Sequence, residues 1–279
     1  MSIQSKKILS LPCTRGFMQC AQDGVDKGWH EMNGGNLSYR LTDAETKNVK
    51  AVCRKPASGW TELGESVPKL AGAFFMVTRT TGYMRNVKRT PEQAFGIVEL
   101  DATGTQYRIW WGLSDGGRPT SEFPSHLKNH EVKMLQDPAN RVIYHAHPVN
   151  LIAMTFIVPL KDKDFSRALW QIMTECPVIF PKGVGVVPWM VPGKGEIAQA
   201  TSKLMEKYDI VVWAHHGLFC AGTTFDRAFG LMDTVEKSAE IYMKVAATGK
   251  KRLSTITDAG IRKIIKAFGL KDFTTKFLR

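Results

Sequence analysis

Hydrophobic positions along the 279-residue chain switch repeatedly between two spacings. Phe17, Cys20, Ala21, Val25 and Trp29 recur every three to four residues. That is the period of a helix with one apolar face, and it ends near Gly28. Leu37, Tyr39 and Leu41 alternate with polar neighbours, as on a half-buried strand. Phe74–Thr78, Phe95–Leu100 and Gln106–Leu113 predict strands, the last two joined by a hairpin turn at Asp101-Ala-Thr-Gly104. A helix is predicted from Thr120-Ser121 through Leu127 to Leu135, then a strand over Arg141–His147. Asn150–Phe156 and Ser166–Thr174 predict helices, and Pro177–Phe180 and Gly185–Pro188 short strands. Gly195–Tyr208 predicts a helix, Ile210–His215 a strand, and Thr224–Ala247 a long amphipathic helix. Residues 44–70 are polar and without a clear period, which predicts an irregular surface insertion. With no repeat and no linker, this alternation predicts a single-domain α/β/α sandwich around a mixed, largely antiparallel sheet.

Composition narrows the class. Hydrophobic residues make up 43% and charged residues 23%, as in globular proteins, which excludes a disordered or collagen-like chain. No apolar run approaches the ~18–20 residues needed to span a bilayer. The N-terminal stretch MSIQSKKILSLPCTRG has only Ile8, Leu9 and Leu11 as an apolar patch, too short for a signal-peptide core, which predicts a cytoplasmic protein. The five cysteines (13, 20, 53, 176, 220) include no C-x-x-C pair, so they read as reduced and buried. The net charge of +12 is uneven, since residues 249–279 hold nine Lys/Arg against two Asp. Ile261, Ile264, Ile265 and Phe268 lie among those charges at helical spacing, so this tail reads as a packed terminal helix with a solvated basic face. No nucleic-acid-binding module appears, and the positive excess suits a small anionic substrate.

The strongest local chemistry is His145-Ala146-His147, at the end of a predicted strand. Side chains two apart on a strand share a face, so both imidazoles can hold one metal ion. A second apolar strand, Ile210–Ala214, runs into His215-His216-Gly217, and either histidine is a candidate third ligand. Three neutral imidazoles with one open position are the pattern of a catalytic metal site. His126 and His130 are four apart on a helix, but Lys128 and Asn129 between them predict an exposed face. His30 reads as structural. Glu122, in Pro119-Thr-Ser-Glu122, reads either as a first-turn acid beside a Thr120 or Ser121 cap or as a carboxylate that moves protons. Asn33-Gly34-Gly35-Asn36 reads either as a tight turn or as an anion-binding nest. The chain has no Walker A sequence and no G-x-G-x-x-G after a strand.

Asn-Gly-Gly-Asn at 33–36, Thr-Ser-Glu at 120–122, His-x-His at 145–147 and His-Gly at 216–217 together resemble the class II aldolase/adducin family. KGWHEMNGGNLSYRL (27–41), IWWGLSDGGRPTSEFPSH (109–126), TECPVIFPKGVGVVPWMVPG (174–193) and residues 229–245 extend the resemblance to the branch that cleaves L-rhamnulose 1-phosphate. It covers roughly Phe17 to Gly269. The resemblance implies one zinc ion per subunit on His145, His147 and His216, the last preferred over His215 because the family's ligand directly precedes glycine. It implies Glu122 as the catalytic carboxylate and Glu175 as an acid that reaches the aldehyde half from a neighbouring subunit. Asn33, Gly35, Asn36, Thr80, Thr120 and Ser121 match the phosphate side. The implied reaction is reversible cleavage to dihydroxyacetone phosphate and L-lactaldehyde, in a homotetramer with active sites between subunits. A related sugar-phosphate aldolase or epimerase of other stereochemistry, and a zinc hydrolase, are the enzymatic alternatives; a basic nucleic-acid-binding protein is the non-enzymatic one. Arg79 departs from the family pattern, standing where the phosphate loop usually has a small residue. It reads as an added phosphate clamp or as a solvent-directed side chain. Glu175 falls at the end of a predicted helix, where an anion is unfavourable and asks for a compensating role.

Overall fold

Strand-forming alternation sets the frame of the molecule. The computed structural model describes residues 1–193, 195–271, 273, 277 and 278. Among these, nine strands form one sheet: β1 (Asn36–Arg40), β2 (Thr61–Glu62), β3 (Phe74–Thr78), β4 (Phe95–Leu100), β5 (Gln106–Gly112), β6 (Val142–Ala146), β7 (Gly185–Val187), β8 (Ile210–Trp213) and β9 (Gly217–Gly222). Their order is β2-β5-β4-β3-β1-β6-β9-β8-β7. Only the β7–β8 pair is parallel; its neighbours pair antiparallel, as expected for a mixed, largely antiparallel sheet.

The helices are α1 (Ile3–Leu9), α2 (Pro12–Asp26), α3 (Asp43–Cys53), α4 (Pro91–Ala94), α5 (Phe123–Gln136), α6 (Val149–Met154), α7 (Asp162–Trp170), α8 (Glu175–Ile179), α9 (Gly195–Met205), α10 (Phe225–Ala247) and α11 (Asp258–Ala267). The period-two pattern of the strands sorts their side chains between two helical layers. Phe74 and Met76 of β3 pack into the core that holds Phe17 of α2 and Leu231 and Val235 of α10. Phe75 and Val77, facing the other way, pack with Phe123 and Leu127 of α5. Further along that second face, Ile143, Val211, Trp213 and Phe219 meet Ile197 and Met205 of α9. The result is the α/β/α sandwich.

Four local expectations need correction. The stretch 44–70 is not irregular throughout, because α3 occupies its first part. Thr42 opens α3 with a reciprocal capping box: Glu45 N donates to Thr42 Oγ1 at 3.1 Å, and Thr42 N donates to Glu45 Oε2 at 2.7 Å. Val49 and Cys53 anchor the helix, and Leu63, Val67 and Leu70 are also buried. Pro177–Phe180 is not a strand; Pro177 lies in the first turn of α8, where its missing N–H is not needed. No strand is predicted at 217–222, yet β9 lies between β6 and β8. Nor is α1 predicted, which Ser2 caps through a 3.0 Å bond from Ser5 N. The expected terminal helix is α11, with Ile261 and Ile265 buried and Phe268 exposed. Asp272, Lys276 and Arg279 of the basic tail lie outside the described residues. All five cysteines are buried and unpaired. Among the described residues, no helix is long and apolar enough to cross a membrane.

Candidate metal centre and active site

The triad forms where two adjacent strands meet. β6 pairs antiparallel with β9, Ala146 opposite Leu218. The end of β6 therefore delivers His145 and His147 beside His216, which directly precedes β9. A Cβ at residue 217 would lie 2.4 Å from the Ala146 carbonyl oxygen and 2.9 Å from His147, so only glycine lets the strands approach this closely. His145 Nδ1 donates to the Leu218 carbonyl at 3.0 Å, which leaves Nε2 facing His216 Nε2 at 3.3 Å. His147 Nδ1 meets Glu31 Oε1 at 2.6 Å, while its Nε2 is buried without a hydrogen-bond partner among the described residues. One nitrogen from each ring lies within 4.8 Å of the other two. Burial, reinforced by His147, lowers the pKa of His216 to about 4 and that of His145 well below its ordinary value. Three ring nitrogens converging on one point, with Nδ1 of His145 and His147 fixed by acceptors, fit a divalent metal ion.

His215 takes no part in this convergence. Its backbone is left-handed, with φ 60°. Its ring turns to Thr155 Oγ1 at 3.0 Å and packs on Phe156 with centroids 4.3 Å apart.

Glu122 occupies the N-cap position of α5 but makes no side-chain cap bond. Its Oε2 accepts from Asn36 Nδ2 at 2.8 Å and lies 3.6 Å from His145 Nε2. Burial raises its pKa, against the lowering effect of the Asn36 bond. Asn36 is opposite His145 in the β1–β6 register, so strand pairing itself puts amide and imidazole side by side. A cavity of about 220 Å³ opens here. Asn33, Gly35, Asn36, Thr80, Thr120 and Ser121 all line it, together with Glu122 and the three histidines. Gly35 has φ 71°, and a Cβ there would lie 2.7 Å from the His145 carbonyl oxygen. Arg79 borders the cavity and donates from Nη1 to the Ser114 carbonyl at 3.0 Å, which holds it against a neighbouring turn instead of leaving it to solvent.

Other predicted residues fall elsewhere. Glu175 is exposed at the start of α8, not at a helix end, so its placement is electrostatically favourable and asks for no compensation. It does not line the cavity of its own chain. His126 and His130 are not on an exposed face, because both are fully buried against β1. Helix α5 is covered on two sides, by the sheet and by α9, so Asn129 and Lys133 are buried as well. His30 is structural as expected, bridging the Gly34 carbonyl at 2.9 Å and Tyr144 Oη at 2.8 Å. Two carboxylates escaped the sequence reading. Glu31, which orients His147, looks in sequence like any solvated loop acid. Glu236 of α10 accepts from the backbone N–H groups of Asn150 and Leu151 at 3.0 and 2.9 Å, anchoring the segment just after His147.

Known proteins resemble this chain over most of its length. Residues 15–243 match the family described as class II aldolase and adducin N-terminal domain. The chain is 44% identical over 266 residues to the rhamnulose-1-phosphate aldolase of Listeria welshimeri, covering 94% of each. It is 43% identical to that of Pectobacterium atrosepticum, covering 94% of this chain and 96% of the relative. The solved sugar-phosphate aldolase from Thermotoga maritima matches with a TM-score of 0.71 at 27% identity, over 90% of this chain and 99% of that one. The L-fuculose-1-phosphate aldolase from Thermus thermophilus shares the fold, with a TM-score of 0.56 at 19% identity over 86% and 97% of the two chains. Motifs, fold and overall similarity thus converge, and the chain belongs to the class II aldolase and adducin family.

Proposed function

We propose that the protein is a zinc-dependent aldolase that reversibly cleaves L-rhamnulose 1-phosphate to dihydroxyacetone phosphate and L-lactaldehyde in L-rhamnose catabolism. The observation that carries this reading is one cavity lined by three converging imidazoles, a buried carboxylate and a set of amide, glycine and hydroxyl donors. The whole chain acts as one domain, in the cytoplasm. Breaking the C3–C4 bond leaves an electron pair on C3, and the barrier depends on where that charge goes. His145, His147 and His216 would hold a zinc ion, which would supply Lewis-acid stabilisation of that charge. Glu122 delivers the proton to C3 in cleavage and removes it in synthesis. Its raised pKa suits a group that must pass through both protonation states. Asn33, Gly35, Asn36, Thr80, Thr120 and Ser121 hold the phosphate end and so place the reacting carbons. The experiment that tests this is cleavage of a panel of ketose 1-phosphates by metal-free and zinc-loaded protein. Zinc-dependent release of dihydroxyacetone phosphate, fastest from L-rhamnulose 1-phosphate, is expected; turnover without metal, or a better substrate of other configuration, overturns the reading.

The same proposal assigns Glu175 to a neighbouring subunit's site in a homotetramer. There it accepts the C4 hydroxyl proton as C4 becomes an aldehyde. Its exposure outside its own chain's cavity supports that role. Glu122→Ala and Glu175→Ala chains are each nearly inactive, and refolding them together restores a fraction of wild-type turnover. Absence of recovery in mixed oligomers would remove Glu175 from the site.

A further inference from the structure

Behind the cavity, Asn36 continues into three buried polar side chains, Ser38, His126 and His130, that the reaction above does not use. Asn36 and Ser38, two apart on β1, face the same side of the sheet. His126 and His130, one turn apart on α5, face back at them. Ser38, His126 and His130 are completely buried. His130 Nε2 lies 2.8 Å from Ser38 Oγ, and Ser38 Oγ lies 2.7 Å from His126 Nδ1. His126 Nε2 is hydrogen-bonded to Asn36 Oδ1, and Asn36 Nδ2 donates to Glu122 Oε2 at 2.8 Å.

With Glu122 ionised, donor and acceptor capacity leaves one arrangement for this chain. A carboxylate only accepts, so Asn36 turns its NH₂ group to Glu122 and its Oδ1 the other way. That oxygen only accepts, so His126 Nε2 carries a proton. Burial lowers the pKa of His126 to about 3, so the ring is neutral and its Nδ1 is bare. Ser38 therefore donates its only hydroxyl proton to His126 Nδ1, and His130 Nε2–H donates to Ser38 Oγ. Every donor in the series points towards Glu122. Hydrogen bonds aligned in this way polarise one another. Stability is a weak reason to keep them, because replacing both partners of a buried hydrogen bond by apolar groups of the same shape can be nearly neutral or stabilising.

We infer that Ser38, His126 and His130 are positioning residues, which fix the Asn36 amide in one orientation and through it hold the Glu122 carboxylate in the cavity. The inference rests on the aldolase reading of that cavity, but one of its two tests needs no substrate. Long-range ¹H–¹⁵N NMR of the labelled, zinc-loaded protein reads imidazole tautomers directly, with His126→Phe and His130→Phe spectra assigning the signals. Both rings are expected as the neutral Nε2–H form; an Nδ1–H or charged ring at either position overturns the inference. The second test is steady-state cleavage. His126→Phe keeps its zinc but loses about 10–100-fold in kcat, more than any change in KM. His126→Gln, whose amide can donate to Asn36 while its carbonyl accepts from Ser38, recovers most of that loss. Ser38→Ala lowers kcat at nearly unchanged volume and carries the kinetic arm if His126→Phe does not fold. Variants with a lower Tm but wild-type kcat per bound zinc would make these residues structural only and overturn the inference. A wild-type protein that cleaves no ketose 1-phosphate would sink the aldolase reading, while the tautomers would still decide the hydrogen-bond chain.

Discussion

Two groups of histidines flank Glu122 and arrive at opposite chemistry. In the triad, acceptors hold Nδ1 of His145 and His147, while Nε2 of His145 and His216 face each other and that of His147 is unpaired. In the α5 pair, both nitrogens of His126 are bonded, and His130 Nε2 is tied to the same serine. All of these rings except His147 are driven neutral mainly by burial. Burial and lowered basicity therefore do not separate a metal site from a buried hydrogen-bond chain. What separates them is whether the ring nitrogens converge on one point.

The sharpest way to break that distinction is to remove one ring from each group. His216→Ala, like chelation of the wild type, loses bound metal and cleavage activity together, read by elemental analysis alongside the aldol assay. His215→Ala keeps most of its metal, since that ring faces Thr155, and His126→Gln keeps all of it. A His126 variant that loses metal would erase the contrast.

Glu122 stands between the two groups, bonded to one through Asn36 and 3.6 Å from the other. Glu122→Gln retains fold and metal while kcat falls about 10²–10⁴-fold, the usual range for a general acid–base group. A change confined to KM would return Glu122 to a helix-start role.

Glu31 tests how far the triad depends on its supports. Glu31→Gln weakens metal affinity about 10–100-fold, measured by competition with a chromophoric chelator. Unchanged affinity would mean that the strands alone orient His147.

The smallest effect is on stability against pH. The folded chain keeps His126 neutral down to about 3, whereas the unfolded chain protonates it near its ordinary value of 6.5. Between those values the unfolded state binds the extra proton. Stability is therefore complete above about pH 6.5 and falls as pH drops through that window. From neutrality to about pH 5, this one ring removes about 2 kcal/mol. Urea midpoints across the range measure it, and His126→Gln flattens the slope; an unchanged slope would mean that the ring is already charged or is not buried.

The parts of the fold that were legible in sequence are those where local pattern and tertiary burial agree. β3 and β4 run as Phe74–Thr78 and Phe95–Leu100, apolar segments of strand length between turn residues. His-x-His is legible because side chains two apart at a strand end share a face, whereas His216 lies in the turn between β8 and β9 and only the family resemblance separates it from His215. β9 was not, since Gly217 and Gly222 at its two ends make it read as a turn following the histidines. α8 was misread because Cys176-Pro177 looks like a helix stop, although proline is well placed in a first turn. α3 carried a legible signal, Thr42-x-x-Glu45, that the polar composition around it obscured. His126 and His130 were hidden for a different reason. Lys128 and Asn129 beside them suggest a solvent face, but only the packing of α9 over α5 reveals that Asn129 too is buried. Partners as distant in sequence as Ser38 and His126 leave no local trace.

The bond from Glu236 to the residues after His147 has a consequence for how the molecule opens. Helix α10, which carries Glu236, packs against α2, α6, α7 and α8 and against β6 and β9. Its carboxylate holds the amide protons of Asn150 and Leu151. Those protons can exchange with solvent only when the carboxylate lets go, so the backbone leading out of the triad is tied to the helix that covers the main core. Isotope exchange at Asn150 and Leu151 is therefore expected to be slowed by a side chain of α10 and not only by the turns of α6 itself.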